Sequence, residues 1–326
     1  MNTDAAFHSS IVAPKPITMN KINLKDNGAL GGLHPFVKLL LLGATMLLSA
    51  LVVSLLGFVL AIPIFGTDVF TGYLEGDLSL NMIRYFQIVS HLGLFIGASL
   101  LFAYLVGRDP LYYFHGKRVP YGRIILLSAV IMLLAVPLVY FLAHLNQQMS
   151  LPESMSGLEE WMRQAEDAAE KMTERLLNVT SLQGLLFNLF MIAVIPAIGE
   201  EFIFRGALQR IFHQWTGNAH VAVIIAGVIF SAIHFQFYGF LPRLLLGIML
   251  GYMFVITGNI WVPVFAHFFN NAFAVIMHFY VYNADLDFDM ESMGDHSLSV
   301  IPAAISLVIV YILFRMMQFR SSKRME

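Results

Sequence analysis

Glu200 and Glu201 stand together at the end of an uncharged run, with Arg205 four residues further on. Two later stretches, Phe230-Ser231-Ala232-Ile233-His234 and His267-Phe268-Phe269-Asn270-Asn271, set a histidine and then a His–Asn pair in equally apolar surroundings. Cysteine is absent from the chain, which excludes disulfides, thiolate nucleophiles and Cys-type zinc sites. Carboxylate, imidazole and amide groups inside apolar segments are costly to keep there and are candidates for function. If the helix persists past Glu200, Glu201 and Arg205 share a face and can pair. Glu200 is rotated by about 100° and is left for another partner. His267 and Asn271 are one turn apart on a common face. His278, eleven residues beyond His267, reads as the donor or acceptor of an interhelical hydrogen bond.

Singly, each stretch has a plainer reading. The two acids could mark a membrane edge, with Arg205 and Arg210 as positive-inside anchors. A lone histidine in an apolar helix is more often a satisfied polar group than a catalyst. Together, Glu-Glu-x-x-x-Arg, Phe-x-x-x-His and His-x-x-x-Asn lie in that order in three separate apolar segments. This set resembles the CAAX-processing and bacteriocin-processing (CPBP, or Abi) intramembrane proteases, which include the Rce1-like prenyl-protein endopeptidases. The resemblance runs from roughly residue 185 to 275, under a third of the chain.

The resemblance implies that Glu200 is the general base, that His234 helps it to activate a water, and that His267 and Asn271 stabilise the oxyanion. Glu201 and Arg205 would hold the site together. The implied activity is that of an intramembrane endopeptidase acting on a membrane-tethered peptide or protein, such as a prenylated C-terminal motif or a leader peptide. A metal is an open alternative: Glu200, His234 and His267 could supply three zinc ligands and leave a position for water, although no His-Glu-x-x-His pattern occurs. The residues do not specify which substrate, nor an oligomeric state. Two other classes compete. A non-catalytic immunity or scaffold protein of the same fold would be free to lose one of the six motif residues. A small proton-coupled transporter, with Glu200, His234 and His267 as a relay, would favour inverted repeats, and no matching halves are found.

These residues need elements to hold them, and the composition dictates which. Of the 326 residues, 58% are hydrophobic and 12% charged, with a mean hydropathy of +0.73; soluble domains carry about 25% charged residues. The formal net charge of −2 gives no hint of nucleic acid. The chain therefore reads as all-α, a polytopic transmembrane bundle of about eight spans embedded in a lipid bilayer, since backbone amides in lipid must find internal partners. Uncharged runs mark the spans: Leu39–Gly66, Tyr85–Gly107, Ile124–Leu145, Leu176–Gly199, Trp215–Pro242, Leu244–Ala284 split in two at Gly258–Asn259, and Ser297–Phe314.

Basic residues fall in the N-terminal tail, at 108–123, at Arg205/Arg210 and at 315–324, and acidic ones in the alternate loops. That pattern places both termini in the cytoplasm, and a bacterial plasma membrane is the expected location. Four regions follow: a flexible cytoplasmic tail (1–34), a three-span region (35–150), an interfacial segment (151–180) and a catalytic region (181–326). Within the third, Ser156–Leu177 places Leu158, Trp161, Met162, Ala165, Ala169, Met172 and Leu176 at helical spacing. It reads as an amphipathic helix between spans three and four, either interfacial or a lid, opened by a Ser156/Glu159 capping box.

Depth counting strains this picture. His234 falls about 15 residues, or roughly 22 Å, into the fifth span; His267 falls about 7 residues into its own, and Glu200 lies near an edge. For the set to meet, either the fifth span starts later, as the short sixth segment suggests, or residues 205–217 dip into the membrane.

Overall fold

A computed structural model describes residues 26–284 and 300–322, and every regular element in them is helical. The chain runs through α1 (Pro35–Phe65), α2 (Asp68–Glu75), α3 (Leu80–Gly107), the single turn α4 (Pro110–Tyr113), α5 (Gly122–Gln147) and α6 (Ser156–Leu177). It continues through α7 (Leu182–Thr216), α8 (Ala219–Ala232), α9 (Phe240–Thr257), α10 (Trp261–Asn283) and α11 (Val300–Ser322). Among the described residues seven helical segments are long and apolar enough to cross a membrane, and the protein is an integral membrane protein. The expected span without a counterpart of that length is the fifth: α8 has 14 residues, which give only about 21 Å of rise against a hydrocarbon core of about 30 Å.

The division at Gly258–Asn259 stands: α9 ends on Gly258 in the left-handed conformation, and α10 begins three residues later. The fifth span does not run over Trp215–Pro242. Helix α8 stops at Ala232, the chain reverses through Phe235 at φ 53°, and the next helix starts at Phe240, so the sixth segment is not short. The fourth span is displaced as well. Leu176 belongs to α6, and its carbonyl accepts from Arg84 and Asn188. Helix α7 runs on through both glutamates to Thr216. Charges end a span only where water receives them. Here Arg205 and Arg210 are buried at 1% and 2% exposure and find partners inside the protein, so they are not anchors at a membrane edge. The first of the two depth solutions fails, because α8 still starts at Ala219; the chain after Arg205 is buried as far as Ile211.

Arg210 bonds the Tyr113 carbonyl and Asp26, each at 2.6 Å. Asp26 also takes Lys38 at 2.6 Å and Gln214 at 3.0 Å. Gly28 and Leu30 donate to the carbonyls of Val106 and Leu105. The end of the segment read as a tail, residues 26–34, is therefore packed onto the bundle. Residues 1–25, the acidic run 285–295 and residues 323–326 lie outside the described residues.

Helix α6 has the bounds its apolar periodicity indicates, and Leu158, Trp161 and Met172 on that face are exposed. The capping box does not form. Ser156 is already inside the helix, and the Glu159 carboxylate instead accepts from Leu151 N at 2.9 Å and from Arg163 at 2.7 Å. Those hydrogen bonds hold the Glu159 carboxyl below its ordinary pKa.

Candidate active site

Helix α7 presents Glu200 near its midpoint, between two π-helical stretches, Leu189–Val194 and Phe202–Leu208. A third, Leu92–Gly97, follows His91 on α3. Such widened turns recur at functional sites because they redirect side chains that a regular helix would aim elsewhere. Glu201, fully buried, accepts from Arg205 Nη1 at 2.6 Å, the pairing its four-residue spacing foretells. Arg205 Nη2 donates to the Gly247 carbonyl at 2.8 Å, and the guanidinium sits 4.8 Å from the Phe230 ring centre. Gly247 offers its carbonyl because α8 and α9 touch backbone to backbone. A Cβ on Gly247 would lie 3.1 Å from Gly227 Cα, and small residues permit this close approach between membrane helices.

The same Glu201 oxygen lies 2.9 Å from His267 Nδ1. A carboxylate already engaged by Arg205 can only accept, so Nδ1 carries the proton. Two more histidines repeat the arrangement: His234 Nδ1 faces the Phe230 carbonyl at 2.8 Å, and His91 Nδ1 faces that of Gln87 at 3.1 Å. Carbonyls also only accept, so in all three rings the hydrogen-bond network assigns the proton to Nδ1 and leaves Nε2 for other work. His91 Nε2 is 3.9 Å from Glu200 Oε1, and His267 Nε2 is 3.9 Å from Glu200 Oε2. Glu200 is thus bracketed by two imidazoles, each at a distance that a bridging water would fill.

His91 is the residue the sequence did not single out. Its signal was available, since an ionisable side chain lies within an apolar span, but its pairing is purely tertiary. Helix α3 reaches α7 at Gly199, where a Cβ would fall 2.8 Å from Phe95 Cβ. Glycine beside Glu200 lets the N-terminal region enter the site.

Glu200, His234, His267 and Asn271 line one cavity of about 230 Å³, together with Arg243 and an apolar wall that includes Phe230. That volume holds several waters. Asn271 donates from Nδ2 to the Ile192 carbonyl at 3.2 Å, which leaves its second amide hydrogen uncommitted. Arg243, which in sequence separates two uncharged runs, is a wall residue. It donates to the Gln236 carbonyl at 2.7 Å and lies 4.0 Å from Glu166 of α6. Glu166 also accepts from Tyr238 N at 3.1 Å, and Trp161 packs on Phe237. Helix α6 therefore sits on the turn that follows His234 and touches the rim of the cavity. His278 bonds Asn178 Oδ1 at 2.9 Å between α10 and the end of α6, the interhelical hydrogen bond expected of it.

The metal alternative fits poorly. Among the described residues no group of three or more His, Asp or Glu side chains is placed to hold a metal ion. Glu200, His234 and His267 line one cavity without forming such a group.

Residues 182–273 match the family model described as type II CAAX prenyl endopeptidase Rce1-like. Over that segment the chain is similar to Rce1-like, CPBP-type proteases. The Rce1-like segment contains Glu200, Glu201, Arg205, His234, Arg243, His267 and Asn271, and it begins well after His91. Two curated proteins of Bacillus subtilis are similar to the chain. One, named "Putative membrane peptidase YdiL", is 31% identical over 105 residues, covering 32% of this chain and 42% of that protein. The other, named "Uncharacterized protein YpbD", is 33% identical over 105 residues, covering 31% of this chain and 49% of that protein. The matched stretch thus spans under half the length of each relative. No solved structure matches.

Proposed function

We propose that the protein is an intramembrane endopeptidase that hydrolyses a peptide bond in a membrane-tethered peptide, prenylated or leader-like, by attack of a water activated at Glu200. The observation that carries this reading is the bracketing of Glu200 by imidazole Nε2 atoms in a cavity that also presents Asn271. A water between Glu200 Oε2 and His267 Nε2 loses a proton to Glu200, and its oxygen bonds the scissile carbonyl carbon. His234 Nε2, an acceptor on the cavity wall, orients that water. The free amide hydrogen of Asn271 is one donor to the oxyanion. His267 becomes the second when protonated on Nε2. In that form, with the added proton taken from solvent, its charge faces the oxyanion while Arg205 balances Glu201, and Glu201 holds the ring by Nδ1. As the C–N bond breaks, Glu200 returns its proton to the leaving amine. Glu201 and Arg205 act as positioning residues.

The site is supplied from the cytoplasm in this reading, with both termini cytoplasmic in a bacterial plasma membrane and α8 with the turn after it making the eighth traverse. Its support is that basic clusters from distant parts of the sequence, Arg123 on one helix and Arg315 and Arg320 on another, meet on one face. The test is cleavage by the purified, detergent-solubilised protein of a pooled library of membrane-protein C-terminal peptides, with new termini read by mass spectrometry. Cuts made by the wild type and lost in Glu200→Ala support the proposal, and their positions name the substrate class. Identical peptide profiles for both proteins, each shown to be folded, would move the weight to a non-catalytic protein of the same fold. A parallel reaction with a chelator decides metal dependence.

A further inference from the structure

A cavity larger than that at Glu200 lies away from the glutamate site. A groove of about 1190 Å³ runs between the start of α5 and the C-terminal half of α11, beyond the roughly 300–1,000 Å³ of an ordinary small-molecule pocket. Its polar equipment is one-signed: Arg123, Arg315 and Arg320 line it, and among the described residues no acidic side chain does. The amino end of the 26-residue helix α5 opens into it with no acidic residue in the first turn, so the positive end of that helix dipole adds to the arginines. The remainder is apolar or aromatic. Ile312, Met316 and Phe319 are 50%, 40% and 62% exposed, and Tyr121 and Tyr311 flank them. A second cavity of about 340 Å³ continues the surface past Arg320 to Arg118 and Lys117. Lys117 is committed to Asp109 at 2.5 Å, a contact that holds the Asp109 carboxyl below its ordinary range.

Both helices end here, at the level where a membrane protein meets headgroups and where tyrosines collect. Three guanidiniums beside exposed aliphatic and aromatic surface match a ligand with an anionic head and hydrocarbon tails. Arg315 is held in place by Tyr311, whose hydroxyl accepts from Nη1 at 3.2 Å. Guanidinium also suits phosphate geometrically, through paired N–H donors. We propose that this groove is a binding site for an anionic glycerophospholipid, with the phosphate on Arg123, Arg315 and Arg320 and the acyl chains along Ile312, Met316 and Phe319. The site stands apart from catalysis: Met132, which lines the glutamate cavity, lies nine residues along α5 from Arg123, or about 13 Å. The proposal does not depend on the peptidase reading.

The test is a titration of the purified full chain with short-chain phosphatidylglycerol, phosphatidylcholine and inorganic phosphate, with bound ligand counted by native mass spectrometry. Wild type is compared with the triple variant Arg123→Gln/Arg315→Gln/Arg320→Gln, and with Arg163→Gln as a basic control outside the groove. The expected result is selective binding of phosphatidylglycerol, weakened about fivefold for each arginine removed and so on the order of 100-fold in the triple variant. Arg163→Gln should bind as wild type. Equal phosphatidylglycerol binding by wild type and triple variant would overturn the site. Inorganic phosphate binding as tightly as phosphatidylglycerol would overturn the lipid assignment in favour of a free-anion site. If the triple variant does not fold, a photoactivatable phosphatidylglycerol on the wild type gives the answer. Cross-links within 119–126 and 311–320 support the proposal, and cross-links confined elsewhere overturn it.

Discussion

Glu200 and Glu201 are neighbours in sequence, yet their isosteric glutamine variants should behave in opposite ways. Glu201 holds Arg205 at 2.6 Å with side chains 0% and 1% exposed, and it also accepts from His267 at 2.9 Å. Glu201→Gln removes the charge that justifies a buried guanidinium. Breaking such a pair from one side costs about 3–5 kcal/mol, which lowers the melting temperature on the order of 10 °C. The amide must also share one oxygen between Arg205 and His267, so the imidazole loses its fixed proton and activity falls with stability. Glu200 has no short partner: its nearest ionisable neighbours are the two nitrogens at 3.9 Å. Glu200→Gln should therefore change stability by no more than about 1 kcal/mol, while removing a general base worth about 100- to 10,000-fold in rate. The assay pairs thermal unfolding in detergent with initial rates on a peptide found by library cleavage. A Glu200→Gln protein that melts as early as Glu201→Gln, or one that still cleaves at the wild-type rate, would refute the division of labour between the two carboxylates.

His91→Gln should keep the fold, because its ring bonds only its own helix, and should reduce kcat about tenfold, the worth of one hydrogen bond to a charged group; an unchanged kcat would remove His91 from the site. Gly199→Val should push α3 away from α7, since a Cβ would fall 2.8 Å from Phe95 Cβ. The loss should be about 1–3 kcal/mol of stability, with a fall in activity larger than that of Val→Ala changes in the lipid-facing part of α1; wild-type stability would contradict the close approach. The absence of native cysteine makes single-cysteine labelling clean. Cysteines at Val119 and Leu74, 84% and 85% exposed, should react with an impermeant maleimide from opposite sides of intact membranes. Labelling from one side would overturn the orientation.

The parts legible in sequence are those governed by periodicity. The four-residue spacing of Glu201 and Arg205, the His267–Asn271 turn, the bounds of α6 and the break at Gly258 all follow from helical geometry and turn chemistry, and all appear in the structure. What was not legible depends on where buried charge finds a partner. Charges at 200, 201, 205 and 210 resemble a membrane edge until Gly247, Tyr113 and Asp26 are brought to them by other parts of the chain. Arg243 resembles a boundary for the same reason. His91 was hidden because its one important neighbour is more than a hundred residues away, reached through Gly199. The three π-helical stretches around the site left no local mark that spacing rules could read, and the capping box failed because Glu159 found Arg163 and Leu151 instead.

The central claim is that a water, activated at Glu200, attacks the peptide directly. Its most direct test is a single-turnover reaction in ¹⁸O-labelled water with an identified peptide, the new C-terminus being read by mass spectrometry. The account requires ¹⁸O in the new carboxylate from the first turnover in the wild type, and no product in Glu200→Gln. A first turnover carrying only ¹⁶O would mean that a protein carboxylate, not water, is the nucleophile. Undiminished cleavage by Glu200→Gln would place the chemistry elsewhere in the chain.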